Sequence, residues 1–166
     1  MRATRRSRVL TSGLTAALGV TLFAAAPAAA SGDTILREEL SGTSPLTDPV
    51  SPSPVIAGVN PGGAPWVLEE NSRVRVREDG RTTLVVRGLV IPGRTPGNPV
   101  ALMAASLVCG GVIADSTDAF PVDEDGHGRI RDVIDVPDDC DDPIVGVRNA
   151  TNAAGLGAYF AVAMQG

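Results

Sequence analysis

The stretch from Arg73 to Ile91, RVRVREDGRTTLVVRGLVI, leaves this chain the least conformational choice. Val74 and Val76 alternate with Arg73, Arg75 and Arg77, the two-residue period of a strand that buries one face and wets the other. Asp79-Gly80 makes the turn. A three-residue loop, Glu78-Asp79-Gly80 with the glycine left-handed, sets Val76 opposite Thr82 and Val74 opposite Leu84. A two-residue loop would set Arg75 against Leu84 and mix the faces, so the three-residue register is expected. The inward set should then continue through Val86 and Val90.

The rest of the chain punctuates itself in the same manner. VALMAASLVC, residues 100–109, is apolar on both faces, as expected of a strand in the middle of the core, and Gly110-Gly111 ends it. GVIAD, DAFPV, GRIRDVIDV, IVGVRN and AYFAVAM follow, each bounded by Gly, Pro, Asn or Asp. TILREEL, Thr34 to Leu40, reads as an opening strand or a short helical turn. Residues 44–65 carry six prolines and three glycines, a density that neither a helix nor a central strand tolerates. That segment is expected to be a long ordered loop or an edge piece crossing the domain. TNAAGLGAYF is alanine-rich, but Gly155 and Gly157 interrupt it, and no stretch after residue 40 keeps a capped helical period. The pattern predicts an all-β fold: an immunoglobulin-like antiparallel β-sandwich of about seven to nine strands with one disulfide.

The first thirty residues stand apart from this pattern. Arg2, Arg5, Arg6 and Arg8 precede an apolar run, Leu14 to Ala26, and Ala28-Ala29-Ala30 offers the small residues of a cleavage site. This predicts a secretory signal peptide over 1–30 and a single β-sandwich domain over 31–166. The protein is expected to be secreted or extracellular, or held at the cell envelope by non-covalent contacts, with no membrane span. Cys109 and Cys140 would then meet oxidising conditions and pair. Closing a loop of about thirty residues contributes roughly 3–4 kcal/mol on the chain-entropy model.

Removing the leader takes four arginines and no acid, which moves the formal charge from −5 to −9. There is no lysine; every cation is an arginine. The sequence reading is therefore of an acidic surface without a basic patch, which argues against nucleic acid and anionic lipid as partners.

Little resembles catalytic chemistry. His127, the single histidine, sits in DEDGHGRIRDVI, residues 123–134. Aligned to a calcium loop, Asp123, Asp125 and His127 take positions one, three and five, but Ile134 stands where a bidentate Glu belongs. The flanks read as strands, so the stretch is expected to be the acidic tip of a β-hairpin. A second acidic segment, PDDCDDP, places Asp138, Asp139, Asp141 and Asp142 around Cys140. Should both segments converge, Asp123, Asp125, Asp138, Asp139, Asp141 and Asp142 are the candidate calcium ligands; otherwise no cofactor is expected. A Ser-His-Asp triad would need His127 in an ordered shell, and no G-x-S-x-G elbow exists. No catalytic residue is assigned and the protein is not expected to be an enzyme. Aromatic side chains after the leader are Trp66, Phe120, Tyr159 and Phe160 alone, which disfavours a sugar-stacking platform. Trp66 is expected to anchor the core. Asn149-Ala150-Thr151 matches a glycosylation acceptor, idle on a bacterial export route.

GLVIPG, ASLVCGG and VPDDCDDPIV, with Trp66 upstream and an apolar strand at the end, resemble a group of uncharacterised secreted actinobacterial proteins. The matching positions are Gly88, Leu89, Cys109, Pro137, Cys140 and Pro143. The resemblance implies a signal peptide followed by one small β-sandwich, and brings no activity or site residues. DGRTTLVVRGL is similar, at the level of fold, to the CHRD-like sandwich. The expected function is a non-enzymatic binding or structural role at the envelope or outside the cell, toward an unknown protein or cell-envelope partner. A calcium-binding surface protein, and a secreted protease inhibitor offering its proline-rich segment, are the alternatives.

Overall fold

In a computed structural model that describes residues 32–151 and 155–165, the hairpin forms in the expected register. Val74 pairs with Leu84 and Val76 with Thr82, and Gly80 closes the three-residue loop at φ 78°. Ten strands succeed one another: β1 (Thr34–Glu39), β2 (Ser41–Gly42), β3 (Arg73–Arg77), β4 (Arg81–Val86), β5 (Leu102–Cys109), β6 (Val112–Ser116), β7 (Phe120–Pro121), β8 (Gly128–Val133), β9 (Ile144–Asn149) and β10 (Tyr159–Met164). β2 and β7 have two residues each, so the eight longer strands match the expected number. Among the described residues there is no helix, and TILREEL is a strand. The export signal expected over residues 1–30 lies outside the described residues.

The strands form two antiparallel sheets. One has the order β1-β3-β4-β8, the other β2-β10-β9-β5-β6, with β7 pairing the start of β5. With β1 and β2 set aside, β3-β4-β8 and β10-β9-β5-β6 reproduce the A-B-E and G-F-C-C′ order of an immunoglobulin-like sandwich. The inner faces meet in one core: Leu36, Val74, Val76, Leu84 and Val86 from the first sheet, and Met103, Ala105, Leu107, Val145, Val147 and Ala161 from the second. Trp66 packs against Phe160 with ring centroids 4.3 Å apart and is 5% exposed, so it is a core anchor.

One inward assignment changes. Leu89, not Val90, continues the buried row after Val86; Leu89 is fully buried and Val90 half-buried. Gly88 takes φ 57°, which breaks the two-residue alternation and turns the next side chain inward.

β5 is buried on both sides because a third layer covers it. The proline-rich segment 44–65 is both a loop and an edge piece: Pro61 bridges Tyr159 in parallel at the edge of β10, and the part around Ile56 and Val59 straps the outer face of the six-stranded sheet. Gly62 N donates to Tyr159 O, Tyr159 N donates to Asn60 O, and the Tyr159 hydroxyl donates to Pro54 O. Ser106 and Val108, on the strapped side of β5, are 1% and 3% exposed.

Cys109 and Cys140 are joined, with their Cα atoms 4.8 Å apart. Cys109 ends β5, and Cys140 lies in the loop crossing from β8 in one sheet to β9 in the other. The bond pins that crossover to the strand end, where Gly110 N also donates to Asp141 O.

Candidate functional site

The stretch around His127 is a turn. Gly126 N donates to Asp123 O and Asp123 N to His127 O, while Asp123 Oδ1 accepts from the backbone N–H of Asp125 and of His127 at 3.1 and 2.8 Å. Val122 and Gly128 close the hairpin as an antiparallel bridge. Gly126 adopts φ 81°, and a Cβ there would lie 2.3 Å from Leu89 N, so the tip is pressed against the chain after β4. His127 is exposed, and its Nδ1 accepts from Gly88 N at 3.2 Å. Its ring braces the kink at Gly88.

The two acidic segments do not converge, which corrects the expectation that Asp123 and Asp125 could share a cation with Asp138, Asp139, Asp141 and Asp142. Asn98, just before β5, donates from its side chain to Asp123 O and from its backbone to Glu124 O. Asp141 sits beyond the other end of β5. The eight residues between them span about 25 Å of extended chain, far more than a coordination sphere. Among the described residues no three His, Cys, Asp or Glu side chains are grouped to hold a metal ion.

Beneath the proline-rich strap, Ile56, Val59, Ser106, Val108 and Tyr159 surround a cavity of about 10 Å³, room for one water and no substrate. Arg148 reaches its edge. The guanidinium donates to Gly157 O at 2.9 Å, Leu156 O at 2.5 Å and Ser106 Oγ at 3.4 Å, and burial pulls its pKa below the usual arginine value. Arg148 is a structural clamp on the loop before β10.

The outward face of the four-stranded sheet is different in kind. The ladder sets Arg37, Arg75, Thr83 and Arg131 in one row across β1, β3, β4 and β8. Glu39, Arg73, Val85 and Arg129 form the next row, and Arg77, Arg81 and Arg87 share the same face by alternation. Of the ten arginines from Arg37 onward, eight gather here; Arg94 and Arg148 lie elsewhere. The short side chains Thr83 and Val85 leave a trough along β4. Arg37, Arg73, Arg75 and Arg129 wall one stretch of about 250 Å³, and Arg87, Arg129, Glu69 and His127 wall its continuation of about 460 Å³.

Carboxylates do little to neutralise this face. Arg81 with Asp79 at 3.4 Å is the single ion pair among the described residues. Arg75 donates to Thr34 Oγ1 from Nε and Nη2, which orients the guanidinium without discharging it. Glu39, Glu69, Glu78 and Asp79 border the cluster, while seven other acids sit in the hairpin tip, Asp123 to Asp125, and around Cys140, Asp138 to Asp142.

The premise of an acidic surface without a basic patch is thereby corrected. Net charge sums over the whole surface and is blind to segregation. The signal was present in RVRVR and GRIRD: alternation that buries valine and isoleucine must also put the intervening arginines on one outer face. No family model, curated protein or solved structure matches this chain.

Proposed function

We propose that this chain is a non-catalytic binding module, working outside the cytoplasm or at the cell envelope, that presents the arginine face of its four-stranded sheet to an anionic partner. The observation that carries the reading is the set of eight co-facial arginines, seven of them without a carboxylate partner among the described residues, on a protein whose other charged side chains are mostly acidic. Like charges on neighbouring strands cost stability, so their concentration on one face is not what folding alone would select. Export is supported by the leader-like N-terminus, by the resemblance to secreted actinobacterial sandwiches, and by the Cys109–Cys140 bond, which needs an oxidising compartment to persist.

The test is retention on phosphocellulose at neutral pH. A protein of sequence pI near 4.8 should pass through such a matrix unless its cations are segregated. Retention that salt reverses, and that R129Q/R131Q abolishes, is the expected result; passage in the unbound fraction overturns the reading.

A second reading has one observation of its own. Residues 44–53 form a loop closed at its base, where Ser53 N donates to Ser44 O and Ser44 N donates to Ser53 Oγ, and Val50 stands 89% exposed at its tip. Such a braced loop suits an inhibitor of a protease that accepts a small apolar side chain. Undiminished activity of elastase-like serine proteases at micromolar protein would dispose of it.

A further inference from the structure

Resting on the reading of the arginine face as an anion-binding surface, we propose that its trough seats a linear, base-free phosphodiester polymer of the polyol phosphate kind, laid extended along β4. The site is built as a channel. Thr83 and Val85 are the short side chains at its middle, with the β3 arginines Arg73 and Arg75 on one side and the β8 arginines Arg129 and Arg131 on the other. A compact anion would use two or three of these groups; an elongated one uses both walls along their length.

The repeat matches. Outward residues of one strand recur every two residues, about 6.8 Å. That step contains six backbone bonds, and so does one 1,3-glycerol phosphate unit carrying one negative charge, so an extended chain places a phosphate at each successive arginine. The cations are all guanidiniums, whose planar forks bind phosphate oxygens in pairs.

The face also says what the polymer lacks. Single-stranded nucleic acid is held by stacking its bases on aromatic rings. Trp66, Phe120, Tyr159 and Phe160 are all buried, at 6% exposure or less, and none reaches this sheet's outer surface. The trough offers charge and no stacking platform.

The experiment is isothermal titration of the purified protein with three probes of equal charge: a synthetic glycerol phosphate octamer, a thymidylate octamer and a galacturonate octamer. The variants are R73Q/R75Q, R129Q/R131Q and, away from the trough, R94Q. The glycerol phosphate octamer should bind tightest, with log affinity falling against log salt by about 0.7 per phosphate engaged. Each double variant should weaken it about ten-fold or more and flatten the salt slope, and R94Q should not. Melting curves establish that the variants fold, and the opposite walls supply two independent comparisons. Tighter binding of the thymidylate or galacturonate octamer would overturn the polyol phosphate assignment and leave the anion-binding reading standing. Binding of the glycerol phosphate octamer that both double variants leave unchanged would remove the trough. No binding of any octamer would overturn both.

Discussion

Arg37 on β1 stands directly opposite Arg75 on β3, two cations paired across one antiparallel ladder. Among the described residues neither has a carboxylate within 4.0 Å, and the Arg75 guanidinium donates to Thr34 Oγ1. A sheet under no demand but stability would gain from an acid at position 37. Arg37→Glu is therefore expected to raise stability by about 0.5 kcal/mol while weakening retention on phosphocellulose. Denaturant titration and salt elution check the two effects separately; a variant that is more stable and equally well retained would exclude Arg37 from the binding surface.

Gly126 ties the hairpin tip to the chain leaving β4. It holds φ 81°, and a methyl group there would meet the backbone of Leu89. Gly126→Ala should destabilise the fold by more than about 2 kcal/mol, since strain and collision add. Gly93→Ala is the control: its φ is 76°, but no atom lies near its missing Cβ, so it should lose about 1 kcal/mol. Equal losses would show that the contact with Leu89 contributes nothing.

The Cys109–Cys140 bond closes a separation of 31 residues and fastens the crossover between sheets. The double change Cys109→Ala with Cys140→Ala is expected to cost about 3–4 kcal/mol, seen as a lower midpoint in urea, with a slope that steepens as the unfolded chain loses its cross-link. Because the arginine face is carried by strands away from the bond, phosphocellulose retention of the folded fraction should persist.

Asp48 sets a pH dependence in the strap. Its Oδ1 accepts from Val50 N and Ser51 N at 2.8 and 3.0 Å, and these bonds, that to Ser51 foremost, hold the carboxyl below its ordinary value of 3.8. A carboxyl depressed on folding stabilises the loop fully above its unfolded pKa, and that stabilisation fades as pH falls through the folded value. Amide exchange at Val50 and Ser51, corrected for intrinsic rates, should thus be slow at neutral pH and accelerate below about pH 4. Asp48→Ala should exchange fast throughout; slow exchange in that variant would show that the carboxylate does not hold the loop.

The parts of this protein that were legible in the chain are those governed by near neighbours. Alternation of Val74 and Val76 with arginine, and the single turn Glu78-Asp79-Gly80, determined a hairpin and its register, since side-chain period and turn length act within a few residues. The both-face apolarity of residues 100–109 marked a buried strand for the same reason, though not what would cover it. Gly88 shows where local reading ends: nothing before it announces that its backbone turns left-handed, so Leu89 rather than Val90 entered the core.

What tertiary structure alone decided is which distant strands lie side by side. Arg37, Arg75 and Arg131 are scattered along the sequence, and each could be read as an ordinary solvated cation. Pairing of β1 with β3 and β4 with β8 brought them into one row, while the length of β5 kept the acidic loops about 25 Å apart. Facing direction is a property of each strand by itself, whereas adjacency follows from how all strands together bury their apolar sides. The sequence could therefore specify outward arginines without revealing that they form a single surface.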